Sequence, residues 1–117
     1  MPTMGEVIAR VDRAAVNVVP EEEKCRWLSA LDGQVALEPL GVEPVSYSWP
    51  GDRDAALLIP IPWDGVYDLY LRAMLHDAQG ETAEYNSLMA AFNEALGEYL
   101  RYIRRTNVPP RTGQFIL

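Results

Sequence analysis

Apolar residues recur every three or four positions through most of this chain, and that spacing predicts four helices. Thr3 followed by Glu6 matches a capping box, in which a hydroxyl and a carboxylate satisfy each other's orphan amides. Met4, Val7, Ile8 and Val11 then make a stripe that Ala14 and Ala15 extend, so the first helix covers about 4–15. Asn17-Val18-Val19-Pro20 ends it and opens the next. Pro20 suits a first helical position, and Glu21, Glu22 and Glu23 suit the positive end of a helix dipole. Cys25, Leu28, Leu31 and Val35 build one apolar face, with Trp27 at its margin. Gly33 interrupts that face without ending it. Such a glycine either ends a helix or marks a close approach of another backbone; because Val35 keeps the stripe and Pro39 is the firmer stop, continuation to about Leu37 is favoured.

Asp64 is a candidate N-cap for a third helix carrying Tyr67, Tyr70, Leu71, Met74, Leu75 and Ala78, closed by Gly80. The longest pattern, about 82–105, repeats through Tyr85, Leu88, Met89, Phe92, Leu96, Tyr99 and Ile103. The short link at Gly80 makes these two helices antiparallel neighbours.

Between helices two and three the pattern breaks. Residues 38–62 hold Pro39, Pro44, Pro50, Pro60 and Pro62 with Gly41 and Gly51. Val45–Trp49 and Ala56–Ile59 read as short extended pieces around a Pro50-Gly51-Asp52 turn, an arm that leans on the helices or on a neighbour. Residues 107–117 begin with Val108-Pro109-Pro110, which forbids more helix, and finish on Phe115-Ile116-Leu117. Such an apolar segment is either loose or docks on another subunit. The expected fold is a single domain over 1–117, mainly α. It is four-helix bundle-like, with a small β-hairpin or extended arm between helices two and three and an extended C-terminal tail.

Composition narrows the function. The chain has 117 residues, one domain's worth, and 49% of them are hydrophobic, enough for a core. Its formal net charge of -7 disfavours a DNA-binding regulator, whose affinity would come from Lys and Arg on phosphates. Arg101, Arg104 and Arg105, with Arg111 beyond, instead complement the end of a long helix. Cys25 is the only cysteine, so no internal disulfide forms, and beside Trp27 and Leu28 it reads as a core residue. The start resembles no signal peptide, and no run approaches the ~20 apolar residues a membrane span needs. The expected compartment is a reducing cytoplasm, with no membrane partner.

Catalytic motifs are scarce. Phosphate loops, serine elbows and zinc-binding His pairs have no counterpart, and the one histidine, His76, sits beside an apolar stripe. Glu22 and Glu23, with Glu81 and Glu84, are spaced to share magnesium as in all-α nucleotide pyrophosphohydrolases. Both sets also lie in first helical turns, where acidic residues occur without a function. The leading expectation is no catalytic, cofactor-binding or metal residue, with the enzyme as the alternative. The aromatics point elsewhere. Tyr47, Trp49, Trp63 and Tyr67, with Phe115, Ile116 and Leu117, are candidate interface residues, because Tyr and Trp bury much area and keep a polar handle.

The order of motifs also carries a resemblance. Glu22 to Gly33 reads Glu-Glu-Lys-Cys-Arg-Trp-Leu-Ser-Ala-Leu-Asp-Gly, and Leu57-Leu58-Ile59-Pro60 follows. Pro62-Trp63-Asp64-Gly65-Val66-Tyr67-Asp68-Leu69-Tyr70-Leu71 comes next, then Gly80-Glu81 through Tyr85-Asn86-Ser87. Over about 4–105 this resembles small phage and prophage proteins of the head-assembly module. In those, Trp-Leu-x-x-Leu-Asp-Gly precedes Pro-Tyr-Asp-x-x-Tyr-x-x-Tyr-Leu. Here Pro62-Trp63 replaces the Pro-Tyr pair, and Tyr85-Asn86-Ser87 replaces a Tyr-Asn-Asn run. The resemblance implies a head-completion or head–tail adaptor subunit that assembles as a ring on the portal protein and meets tail-side connector proteins. DNA would pass through without sequence-specific binding. The implied location is the host cytoplasm during assembly, then the virion.

Overall fold

The computed structural model describes residues 2–37, 41–43 and 45–106. The Thr3 hydroxyl accepts the Glu6 N–H at 3.2 Å, and the Glu6 carboxylate accepts the Thr3 N–H at 3.0 Å. This closed capping box starts α1 (Met4–Ala14). Then come α2 (Glu21–Leu37), α3 (Gly65–Ala78) and α4 (Thr82–Thr106), so the fold is mainly helical and bundle-like. Among the described residues no helix is long and apolar enough to cross a membrane.

The first three helices turn their stripes inward. Met4, Val7, Ile8 and Val11 of α1 meet Cys25, Leu28, Leu31 and Val35 of α2, all buried. Val66, Tyr67, Leu71 and Leu75 of α3 close over them, and Leu57 and Ile59 fill the space left by the helices. At Gly80 the backbone takes φ +78, a left-handed conformation that glycine adopts without a side-chain penalty, and α4 turns back along α3. Among the helices, α4 comes close to α3 alone.

Of the two forms expected for the arm, a small hairpin or an extended segment, its described residues are extended and contain no strand. Val45–Trp49 and Ala56–Ile59 make no ladder; the one bridge among the described residues joins Ala56 to Thr3. Successive turns at Asp52, Arg53 and Ala55 steer the chain toward the start of α1. There the first helical amides lack partners of their own. Met4 N–H donates to the Ala55 carbonyl at 3.0 Å, and Gly5 N–H to that of Arg53 at 2.7 Å. The helix terminus takes the hydrogen bonds a second strand would have used. The Trp49–Pro50 and Ile61–Pro62 peptide bonds are cis.

Two glycines are explained by this arm. A Cβ on Gly5 would sit 3.0 Å from the Arg53 carbonyl oxygen, and one on Gly33 would sit 3.3 Å from that of Val45. Gly33 is thus the close approach its place inside α2 suggested. Asp64 is the N-cap residue of α3, as expected, but its side chain makes no capping hydrogen bond and its carboxylate instead accepts from Arg10 of α1 at 3.2 Å. Asp68 accepts from the same guanidinium at 2.6–3.1 Å, so Arg10 ties α1 to α3. The tail, about 107–117, lies outside the described residues.

Two substitutions test this packing in urea unfolding. Leu28→Ala, at a fully buried position, is expected to cost about 2–5 kcal/mol. Gly5→Val is expected to cost about 1–3 kcal/mol by crowding the Arg53 carbonyl, although valine outranks glycine as a helix former.

Candidate functional site

A buried carboxylate organises the middle of the molecule. Asp32 is 0% exposed on α2, at helical spacing from Leu28 and Val35 and so inside the apolar face. Its Oδ1 accepts the Tyr67 hydroxyl at 2.7 Å, and its Oδ2 accepts the Tyr47 hydroxyl at 2.7 Å and the Leu58 N–H at 3.1 Å. The Tyr67 oxygen in turn accepts the Ile59 N–H at 2.8 Å. Three donors on one carboxylate offset the cost of burying it. Together they fasten α2, α3 and both ends of the arm. Burial, followed by the neighbouring Asp32 charge, pushes the Tyr67 phenol well above its ordinary range. Burial and the hydrogen bond to Asp32 do the same for Tyr47.

These contacts correct one expected interface residue and redefine another. Tyr67 is fully buried and fully hydrogen-bonded, so it offers nothing to a partner. Tyr47 is half-buried with its hydroxyl turned inward, and Ser29 Oγ accepts its N–H at 3.0 Å. Trp49 keeps an exposed edge, with the Arg53 guanidinium 5.3 Å from its ring centre. Trp63 lies half-buried against Tyr99 and Tyr102 of α4, with ring centres 6.0 and 5.3 Å away. Phe115, Ile116 and Leu117 lie outside the described residues.

Two of the four acidic candidates are held by local partners. Glu23 pairs with Arg26, and Glu81 pairs with His76 at 2.5 Å. Glu22 stays on α2 while Glu84 begins α4, in a shallow hollow with Arg72 and His76. Among the described residues no three His, Cys, Asp or Glu side chains gather as a metal site. Cys25 is buried, its sulfur 3.8 Å from the Tyr47 carbonyl oxygen, and burial pushes its thiol pKa up.

A large concave surface among the described residues is mostly apolar. Because α4 follows α3 and leaves α2, a groove of about 890 Å³ opens between α2 and α4. Leu31, Val35 and Leu37 line the α2 side, and Met89, Phe92, Leu96 and Leu100 line the α4 side. Tyr70 and Met74 form the floor, where Tyr70 meets Phe92 with ring centres 5.2 Å apart. Gln34, Asn93 and the Tyr85 side chain are its polar members, and no charged residue lines it among the described residues.

No family model, curated protein or solved structure matches this chain. What the groove accepts is therefore read from its own side chains. Sequence spacing marked Met89, Phe92 and Leu96 as one stripe but gave no sign that α2 would stand clear of it. Asp32 was also missed, although an acidic residue set among Leu28, Leu31 and Val35 is the signal that marks it.

Asp32→Ala is expected to cost about 3–5 kcal/mol in urea unfolding, because three buried donors lose their acceptor. Tyr47→Phe, which removes a single donor, is expected to cost about 1–3 kcal/mol. The tyrosines also set an alkaline limit. Their folded pKa values lie above the unfolded value of about 10, so the unfolded chain releases these protons first. Their stabilisation is complete below pH ~10 and declines as pH rises beyond it, by up to about 1.4 kcal/mol per pH unit for each phenol. Denaturant midpoints measured across that range are expected to fall, and less steeply for Tyr47→Phe.

Proposed function

We propose that this chain is a structural adaptor subunit of a phage or prophage particle, which assembles as a ring on the portal and links head to tail. The observation that carries the reading is the open α2–α4 groove. The chain has apolar residues enough to line it on three helices, yet leaves it without a cover among the described residues. A large exposed apolar groove with a polar margin is a place for another polypeptide. The motif order, which resembles that of head-assembly proteins, supports a phage particle as the kind of assembly.

Charge supports the same reading. A net charge of -7 suits a conduit wall along which DNA slides without adhering, since like charges repel it. The half-exposed Trp49 and Trp63 supply further aromatic area for neighbours.

Sedimentation velocity of the full chain, alone and with the portal protein of its own particle, tests the proposal. The expected result is a higher oligomer, or a monomer that joins the portal in a multi-copy complex. A strict monomer that ignores the portal overturns it.

A further inference from the structure

The loop between α1 and α2 exposes two large apolar side chains almost completely, Val16 at 94% and Val18 at 97%. The residues that alternate with them are tied down. Asn17 donates its amide to Asp12 Oδ1 at 3.0 Å and to the Ala15 carbonyl at 2.8 Å, and its side-chain oxygen accepts the Val19 N–H at 3.1 Å. Val19 itself packs on the core. Behind them Lys24, only 2% exposed, donates its ammonium to the same Asp12 oxygen. A lysine this buried needs a reason, and here its charge fixes Asp12, which fixes Asn17. The loop is thus a braced tip with two valines facing out. Bracing a contact loop in advance lowers the entropy lost on binding.

A copy cannot cover this tip with its own groove. The tip precedes the first turn of α2, whereas Leu31, Val35 and Leu37 lie about 15–25 Å farther along that helix. The two surfaces also differ in charge. Glu21 and Glu22 are exposed just beyond the valines and outweigh Arg13 before them. At the far end of the groove, Arg104 follows Leu100 by one turn on the same face, and Arg101 and Arg105 flank it. All three arginines are exposed, and none forms an ion pair within the described residues.

We propose that the Val16–Val18 tip of one copy seats in the α2–α4 groove of the next, with Glu21 and Glu22 facing Arg101 and Arg104. Because tip and groove are different surfaces, the contact is head-to-tail, the kind that repeats into a ring when its rotation closes. It deepens the adaptor reading and rests on it for self-association alone.

Complementation between full-length variants tests the contact. Val16→Asp with Val18→Asp destroys the tip at exposed positions, and Leu37→Asp with Met89→Asp destroys the groove, where Leu37 is 58% exposed. Each variant alone is expected to sediment as a monomer, and an equimolar mixture as a dimer that grows no further. Should the groove variant unfold, charge reversal replaces it. Glu21→Arg with Glu22→Arg weakens association up to about fivefold at low salt, and adding Arg101→Glu with Arg104→Glu restores it. A tip variant that assembles like the unaltered chain, or a mixture that stays monomeric, overturns the contact. So does an unaltered chain that remains monomeric through the millimolar range, a result that leaves the adaptor reading to the portal experiment. Loss of assembly in Phe115→Ser, Ile116→Ser, Leu117→Ser with the tip variant unaffected also overturns it, and assigns the groove to residues 107–117.

Discussion

The fold depends on one buried carboxylate being fully satisfied. Asp32 sits where α2, α3 and the arm converge, and an unpaired charge there would cost more than any single apolar contact supplies. Three donors from two separate parts of the chain must therefore arrive together: Tyr47 and Leu58 from the arm, and Tyr67 from α3. That requirement explains how a proline-rich segment with no strand among its described residues keeps a defined path. Its amides are satisfied by side chains of the helices, Ser29 for Tyr47, Asp32 for Leu58 and Tyr67 for Ile59. Apolar packing alone is less selective, since many arrangements bury similar areas.

The legible and illegible parts of the sequence divide along the same line. Met4, Val7, Ile8 and Val11 announce their helix by spacing, and Thr3 and Glu6 announce its start, because these depend on neighbours within one turn. The extent of α2 across Gly33 was also legible, and the glycine's purpose came with it. Long-range pairings were not. Asp64 stands at the N-cap of α3 as its sequence suggests, but Arg10, 54 residues earlier, claims the carboxylate that a capping side chain would use. Tyr67 looks like an interface aromatic until Asp32 claims its hydroxyl. Ala56 looks like half of a hairpin until the orphan amides at the start of α1 claim its neighbours. In each case local pattern gave the residue's type of surroundings, and a partner distant in sequence decided which way it faced.

The same polar economy separates what is fixed from what is left open. Arg10 binds α1 to α3, Lys24 and Asp12 brace the α1–α2 loop, and Asp32 anchors the arm. All of these ties lie among α1, α2, α3 and the arm. None of these ties reaches α4, which packs on α3, with Tyr70 against Phe92, and on Trp63 just before α3, which meets Tyr99 and Tyr102. An element held by apolar contact on one side presents the remainder of its stripe to whatever comes next. The groove is the direct consequence of that arrangement.

An apolar groove by itself does not select a partner, since any exposed hydrophobic segment gains area there. Selection needs a feature that penalises wrong partners, and the polarity of the chain supplies one. Negative charge gathers at the start of α2 and positive charge at the end of α4, so two copies meeting like-end to like-end repel. Copies meeting head to tail do not. For the proposed contact, repulsion of like ends matters as much as attraction of unlike ones, because a pairing through two like ends would consume a surface that a ring would have to repeat. Under the proposed contact, the net charge of -7 would also keep unassembled copies apart until tip and groove align.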